Sequence, residues 1–305
     1  MSSSSASSSP WHYYVPILLA SPVALLMVSR LWHRYQARRA CLRHRHFLIT
    51  GGSSGIGRAL ARAVIRRGAN VTLVARNLDR LEEVKIELLE EASSPEQAVH
   101  TLSADLTEGE VGEAVLVRGV VEAEQVNYLS AVHATRAVLP GMKQRGSGSV
   151  TFVSSVAGLM GIYGYTAYCP AKFALVGLAQ SLRMEVKHRG VHVMVAFVPD
   201  TDTPGFAEEE RTKPTETKLI SSAAGLWSPD AVASALLQDI LEGNVTSTMG
   251  LDSCMVLTLC AGMMPPSSLL ELVMQAATMG VLRIVGCLYL RHFYRVVAHC
   301  AAKRE

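Results

Sequence analysis

No C-x-x-C pair occurs among the six cysteines, which stand far apart at Cys41, Cys169, Cys254, Cys260, Cys287 and Cys300, and no histidine spacing completes a metal set. This excludes a structural zinc module, and the expectation is a reduced body with no bound metal. A charge excess of one sign is also missing. The 29 basic and 26 acidic residues leave a net charge of +3, too even a balance for a polyanion partner, so nucleic acid is not expected. There is no basic stretch ahead of the first apolar run, and the positive charges follow it, so a cleaved secretory leader is not expected. What the chain does have is 49% hydrophobic content in 305 residues, enough for one sizeable domain plus further apolar segments.

Those segments divide the chain. Residues 1–12 form a Ser-rich, low-complexity tail too polar to pack. Residues 13–32 hold an uncharged stretch of 17 residues from Tyr13 to Ser29, with Trp11, Tyr13, Tyr14 and Trp32 at its ends as an interfacial belt requires. A transmembrane anchor is the expectation, with a buried core helix as the alternative. Arg30, Arg34, Arg38 and Arg39 follow it and open a basic linker at 33–45, so the main domain should face the cytosol. That domain covers 46–250, and an apolar, membrane-associated region covers 251–305.

The domain begins with a short apolar run, His46 to Thr50, leading into Gly51-Gly52-Ser53-Ser54-Gly55-Ile56-Gly57 and then the helical pattern of residues 58–68. Strand, glycine turn and helix in this order suit a pyrophosphate, because glycines let the backbone approach it and the helix N-terminus offers free N–H groups. NVTLVA then reads as a second parallel strand, with Arg76 just past its end. An acidic residue there would take a ribose 2′-hydroxyl, whereas Arg76, with Arg80, can pair with a 2′-phosphate, which favours NADPH. The same glycine turn spells G-x-S-x-G around Ser53, the elbow of a serine hydrolase. A hydrolase needs a later acid and histidine placed to close a triad, and none stands in a suitable loop.

A second cluster carries the chemistry. The strand SVTFVSS ends at Ser155, and Tyr168-Cys169-Pro170-Ala171-Lys172 opens a long helical pattern. Four positions apart on one helix face, an ammonium lies beneath a phenol and should lower its pKa, so that Tyr168 can trade a proton. Ser155 can hydrogen-bond a substrate oxygen.

With the glycine turn ahead of it, this pattern resembles the short-chain dehydrogenase/reductase family. The resemblance implies an α/β, Rossmann-like, doubly wound parallel sheet, with Tyr168, Lys172, Ser155 and Asn127 as catalytic residues. It implies cofactor contacts at Gly51, Ser53, Ser54, Gly55, Gly57, Arg76 and Arg80, at Asp105 and Leu106 after the third strand, at Tyr168 and Lys172 for the nicotinamide ribose, and at Thr203 for the carboxamide. Helices at ALPGMKQR and Tyr168 to Gly190 form dimer faces in the family, which implies a homo-oligomer.

The glycine turn, LVARN and the loop PDTDTPGFAEEERTKPTETKLIS are similar to those of the 3-ketodihydrosphingosine reductases over most of residues 46–290. That similarity implies NADPH-dependent reduction of a long-chain keto sphingoid base in sphingolipid biosynthesis, at the endoplasmic reticulum membrane, with membrane lipid around the anchors. A reductase of another lipid or steroid ketone stays open. The apolar stretches Cys254 to Met264 and Leu269 to Leu290, separated by Pro265-Pro266, are expected to form a re-entrant or interfacial hairpin, because the first is too short to span and the second carries Glu271 and Arg283.

One departure from the family pattern bears on all of this. Only 22 positions separate Asp105 from Asn127, where the family has about thirty residues more, including a fourth strand and an Asn-Ala-Gly motif. In a sheet of order 3-2-1-4-5-6-7 that strand is central, so the expectation is a fold with its central strand missing and activity in question. Only Val115 to Val121 could substitute, and a non-catalytic membrane-bound variant stays open beside the enzyme.

Overall fold

The computed structural model describes residues 11–106, 124–222 and 225–304, with side chains in the first helix from residue 25 on. The run Val115 to Val121 lies outside the described residues. Helix α1 (Trp11–Arg38) precedes the alternating part of the chain. Then come β1 (His46–Thr50), α2 (Gly55–Ile65), β2 (Asn70–Ala75), α3 (Leu78–Glu90) and β3 (Val99–Ser103). After the undescribed stretch, a π-helical turn (Gln125–Leu129) runs into α4 (Ser130–Arg145), followed by β4 (Gly148–Ser155), α5 (Tyr168–Val186) and β5 (Val191–Val198). Helices α6 (Pro204–Thr212), α7 (Thr215–Ser221) and α8 (Pro229–Glu242), strand β6 (Thr246–Thr248), and helices α9 (Leu251–Leu259) and α10 (Leu269–Ala302) complete it.

Local chemistry explains most of these boundaries. Asn77 caps α3 by accepting from the Arg80 amide at 2.9 Å, and Ser228 caps α8 by accepting from Ala231 at 3.2 Å. Gly146 and Gly243 end α4 and α8 in the left-handed conformation that favours glycine. The apolar runs of the strands pair in parallel, as strands joined by crossover helices must.

The strands form two separate three-stranded parallel sheets, in the orders β1-β2-β3 and β4-β5-β6. Among the described residues, β1 and β4 therefore each have one neighbouring strand. Their side chains register this. Phe197 on β5 is fully buried, whereas Leu48 on β1 is 43% exposed and Val153 on β4 is 38% exposed. A doubly wound sheet covers its middle strands on both faces, and these two side chains are less covered than that.

Helix packing joins the two halves. Leu237 of α8 is fully buried in the core formed by Val71, Leu73, Leu81 and Val99 of the first half. Its neighbour Leu236 packs with Met194 and Ala196 of β5 and with Leu60 of α2. Each such leucine contributes about 1.5–3 kcal/mol by leaving water.

In the C-terminal region α9 packs against α10, with Leu259 lying against Gly286, and the second helix is longer than the apolar stretch that predicts it. Helix α10 runs unbroken for 34 residues, well past Leu290. Arg291, His292 and Arg295 change the polarity of the segment but not its backbone preference, and no proline or glycine interrupts residues 287–302. Glu271 sits in the first turn, where its carboxylate accepts from the Ser267 amide at 2.8 Å and faces the positive end of the helix dipole. This helix is long and apolar enough to cross a membrane. Helix α1 reaches it through Arg30, which donates to the Ser268 hydroxyl at 2.6 Å, and docks on α8 through Gln238, which donates to the Arg34 carbonyl at 2.8 Å.

Candidate active site

The glycine turn closes tightly between β1 and α2. Gly51 and Gly55 have φ of +66° and +54°, a region other residues enter only with strain. At Gly57 the limit is space, since a Cβ would lie 2.3 Å from the Gly51 carbonyl oxygen. Ser54 precedes α2 in extended conformation and makes no side-chain capping bond, which leaves the first N–H groups of the helix available to an anion. A polar groove beside this turn is lined by Ser53, Ser54, Gly55, Arg58 and Arg80 and, on its far side, by the carboxylates of Glu83, Glu87, Asp202 and Asp230. Arg58 is engaged there, donating to Glu87 at 3.0 Å. The residues present thus fit a dinucleotide pyrophosphate.

Other residues expected at the cofactor lie around this turn. Arg76 and Arg80 are exposed at the end of β2 and the start of α3, and Ser103 ties the Arg76 carbonyl to β3 at 2.9 Å. Asp105 and Leu106 follow β3, with a ring nitrogen of His133 3.1 Å from the Leu106 carbonyl. Thr203 caps α6 by accepting from the Phe206 amide at 3.1 Å. Its side chain reaches to 3.0 Å from where a Cβ on Gly55 would stand, so the two halves of the chain meet at the turn.

At the end of β4, Ser155 caps a short 3-10 turn, its hydroxyl accepting from the Ala157 amide at 3.3 Å, and it stands close enough to the Tyr168 hydroxyl to favour its ionised form. Lys172 lies with its ammonium 5.4 Å from the centre of the Tyr168 ring and donates to the Val153 carbonyl at 3.2 Å. Three of the four expected catalytic residues are therefore together. Asn127 stands on the π-helical turn, which packs against α5, the helix that carries Lys172.

The electrostatics differ from the expectation in sign. Burial raises the Tyr168 pKa above its ordinary value, and the carboxylates of Glu209 and Asp200 add to this, while Ser155 opposes it. Desolvation also pulls Lys172 down to about 8. Removal from water disfavours both charged forms and is the largest cause at each residue. If reaction needs the Lys172 ammonium, its rate should fall as pH rises through about 8, since the lysine is charged below that value and neutral above it. A pH profile of kcat/KM would show the limb, and Lys172→Met should remove it together with most of the activity.

Sequence reading missed a second cluster beside the tyrosine. The Tyr165 ring lies 5.3 Å from that of Tyr168, and its hydroxyl donates to Glu209. Lys213, its side chain fully buried, pairs with Asp200 at 3.3 Å, Glu209 at 3.3 Å and Glu210 at 2.9 Å, and lies 4.8 Å from the Phe206 ring centre. These contacts hold α6 over the site. The run EEERTK carried a weak signal for them, as carboxylates three and four positions before a lysine.

The sequence model described as short chain dehydrogenase matches residues 45–125 and 117–214. The chain belongs to this family. Among individual relatives it is 42% identical to the 3-dehydrosphinganine reductase of Danio rerio over 290 residues, covering 85% of this chain and 87% of that protein. It is 38% identical to the 3-ketodihydrosphingosine reductase of Bos taurus over 317 residues, covering 94% and 95%. Since 94% of 305 residues is about 287, about 30 of those 317 aligned positions have no counterpart in this chain.

Solved structures share the fold. The L-sorbose reductase of Gluconobacter frateurii, complexed with NADPH and L-sorbose, superposes with a TM-score of 0.57 at 22% identity, covering 68% of this chain and 95% of that one. A short-chain dehydrogenase of Sphingobium yanoikuyae in complex with NADPH gives 0.57 at 25% identity, covering 68% and 88%.

Proposed function

We propose that this chain reduces the ketone of a long-chain keto sphingoid base, 3-ketodihydrosphingosine, to the alcohol dihydrosphingosine with NADPH, at the endoplasmic reticulum membrane with its catalytic domain in the cytosol. The observation that carries the chemistry is Ser155 and Lys172 gathered on Tyr168, on the chain segment that follows β4. Relatives named for this reaction at up to 42% identity support the substrate.

Held by the glycine turn, a reduced nicotinamide cofactor would supply hydride for the ketone carbon. The Tyr168 hydroxyl gives its proton to the carbonyl oxygen, and the raised pKa keeps that proton in place until charge develops on the oxygen. Ser155 hydrogen-bonds the same oxygen and orients it. Lys172 holds positive charge under the ring, and Asn127 links it to solvent through water. On the cofactor side, Gly51, Ser53, Ser54, Gly55 and Gly57 receive the pyrophosphate, Arg76 and Arg80 the 2′-phosphate, Asp105 and Leu106 the adenine, and Thr203 the carboxamide. Helix α10, with α1 docked on its first turn, supports placement at a bilayer.

A second reading draws on a specific observation. We infer that the central strand of the family's sheet is missing, from the single neighbouring strand of β1 and of β4 among the described residues, the 22 positions between Asp105 and Asn127, and the roughly 30 relative positions without counterpart. A non-catalytic, membrane-bound variant follows if that loss disables the nicotinamide half of the site.

The full chain in detergent or nanodiscs tests both. Binding of NADPH, followed by its oxidation on addition of the long-chain 3-keto base, supports the reductase. Binding without oxidation supports the variant, and absence of binding refutes the cofactor assignment. Arg76→Ala with Arg80→Ala should weaken NADPH by about tenfold and leave NADH unchanged, because only the 2′-phosphate loses its partners.

A further inference from the structure

A cavity of about 570 Å³ lies between the catalytic loop and helix α10. We propose that it holds the alkyl chain of the substrate on its way from the bilayer to Tyr168, an inference that rests on the lipid-ketone reading above. One wall is a helical stripe at positions i, i+3, i+4 and i+7, formed by Leu290, Phe293, Tyr294 and Val297 of α10. Ile162, Pro170 and Ile220 supply the facing surface. The volume falls in the range of small-molecule sites, roughly 300–1,000 Å³. Its apolar lining suits methylene groups.

Two continuities commit the cavity to this occupant. At the inner end, Tyr165 and Cys169 line it, and Tyr165 packs its ring 5.3 Å from that of Tyr168, so the cavity ends beside the proton donor. At the outer end, the wall is the helix that is long and apolar enough to cross a membrane. Both ends of α10 are held on the domain, where Ser267 accepts from the Val245 amide at 3.0 Å before the first turn and Arg304 pairs with Glu216 past the last, so the helix lies along the domain with Leu272, Val281, Ile284 and Leu288 exposed to meet a bilayer surface. A chain that leaves the bilayer along α10 meets the cavity without crossing water.

A latch fixes this wall. Arg304, just past the end of α10, donates to both carboxylate oxygens of Glu216 at 2.6 and 2.7 Å, and Glu216 is buried on α7. Both bonds come from one guanidinium nitrogen, Nη2, and this charge-assisted contact ties the end of α10 to α7. Arg304 is thus a positioning residue that holds the stripe against the catalytic loop.

The test uses the full chain in nanodiscs and a long-chain 3-keto sphingoid base carrying a photoreactive diazirine near the end of its alkyl chain. Illumination should label residues 161–170 and 290–297, and unlabelled base should compete. Gly161→Phe places a side chain at the cavity from a backbone position whose Cβ meets nothing within 4 Å, so it spares the fold. Excluding only two methylenes is worth about tenfold, so labelling and affinity for the long-chain base should fall by at least that much. NADPH binding in the same variant should be unchanged. Arg304→Ala should spread the label along α10.

Labelling spread evenly over α10 in the unmodified chain, or unaffected by Gly161→Phe, would overturn the cavity assignment. The reductase reading is scored separately by NADPH oxidation. Oxidation without cavity labelling leaves the reductase standing and removes the channel. Cavity labelling without oxidation supports the channel and counts against catalysis.

Discussion

Tyr168→Phe is expected to lower kcat/KM for the long-chain ketone by about 10³-fold, equivalent to about 4 kcal/mol of transition-state stabilisation, with NADPH affinity unchanged within about twofold. The substitution removes one oxygen and nothing else from the ring that Lys172 underlies and Tyr165 abuts. Packing is retained, and only the proton and the contact with Ser155 are lost. Steady-state kinetics together with a NADPH titration separate the two effects. Turnover retained within tenfold would remove Tyr168 from the reaction, whereas loss of NADPH binding would show that the variant had disturbed the fold instead. Ser155→Ala provides the graded comparison, because it deletes one hydrogen bond to the same oxygen and leaves the proton donor in place.

The second large effect concerns strands β1 and β4. Inserting a strand and loop of roughly thirty residues between Asp105 and Asn127 should raise thermal stability by about 10 °C and ketone reduction by at least about 100-fold. A strand between β1 and β4 would give each a second partner, with a net gain of about 0.5–1.5 kcal/mol per backbone hydrogen bond. It would also cover Leu48 and Val153, now 43% and 38% exposed, at up to about 1.5–3 kcal/mol each. The rate should respond because the loop after a central strand lines the cofactor crevice of a doubly wound sheet. Differential scanning calorimetry and NADPH oxidation of the grafted chain measure the two consequences. If neither moves, the strand is not missing in any functional sense.

The features legible in the sequence were those set within a few residues. Gly51 to Gly57 could be read as a turn because no other residue tolerates those angles or that approach to the Gly51 carbonyl. Tyr168 and Lys172 could be read as a pair because a helix puts positions four apart on one face. The shortage of residues before Asn127 could be counted. The cluster around Lys213 could not be read in the same way, because Tyr165 meets Glu209 across 44 positions and Asp200 meets Lys213 across 13. Nor could the extent of α10 be taken from hydropathy, since Arg291 and His292 end an apolar run without ending a helix.

Sequence alone therefore determined the family, the cofactor turn and the identity of the reacting side chains, because backbone geometry and helix periodicity are local properties of the chain. Tertiary structure decided the rest. It set the direction of the Tyr168 pKa, because desolvation depends on what surrounds the ring from every side. It packed α8 against both half-sheets, and it brought Arg304 to Glu216 across 88 positions to shape a cavity beside the tyrosine. Each of these depends on which distant surfaces exclude water from one another, a quantity no stretch of sequence carries by itself.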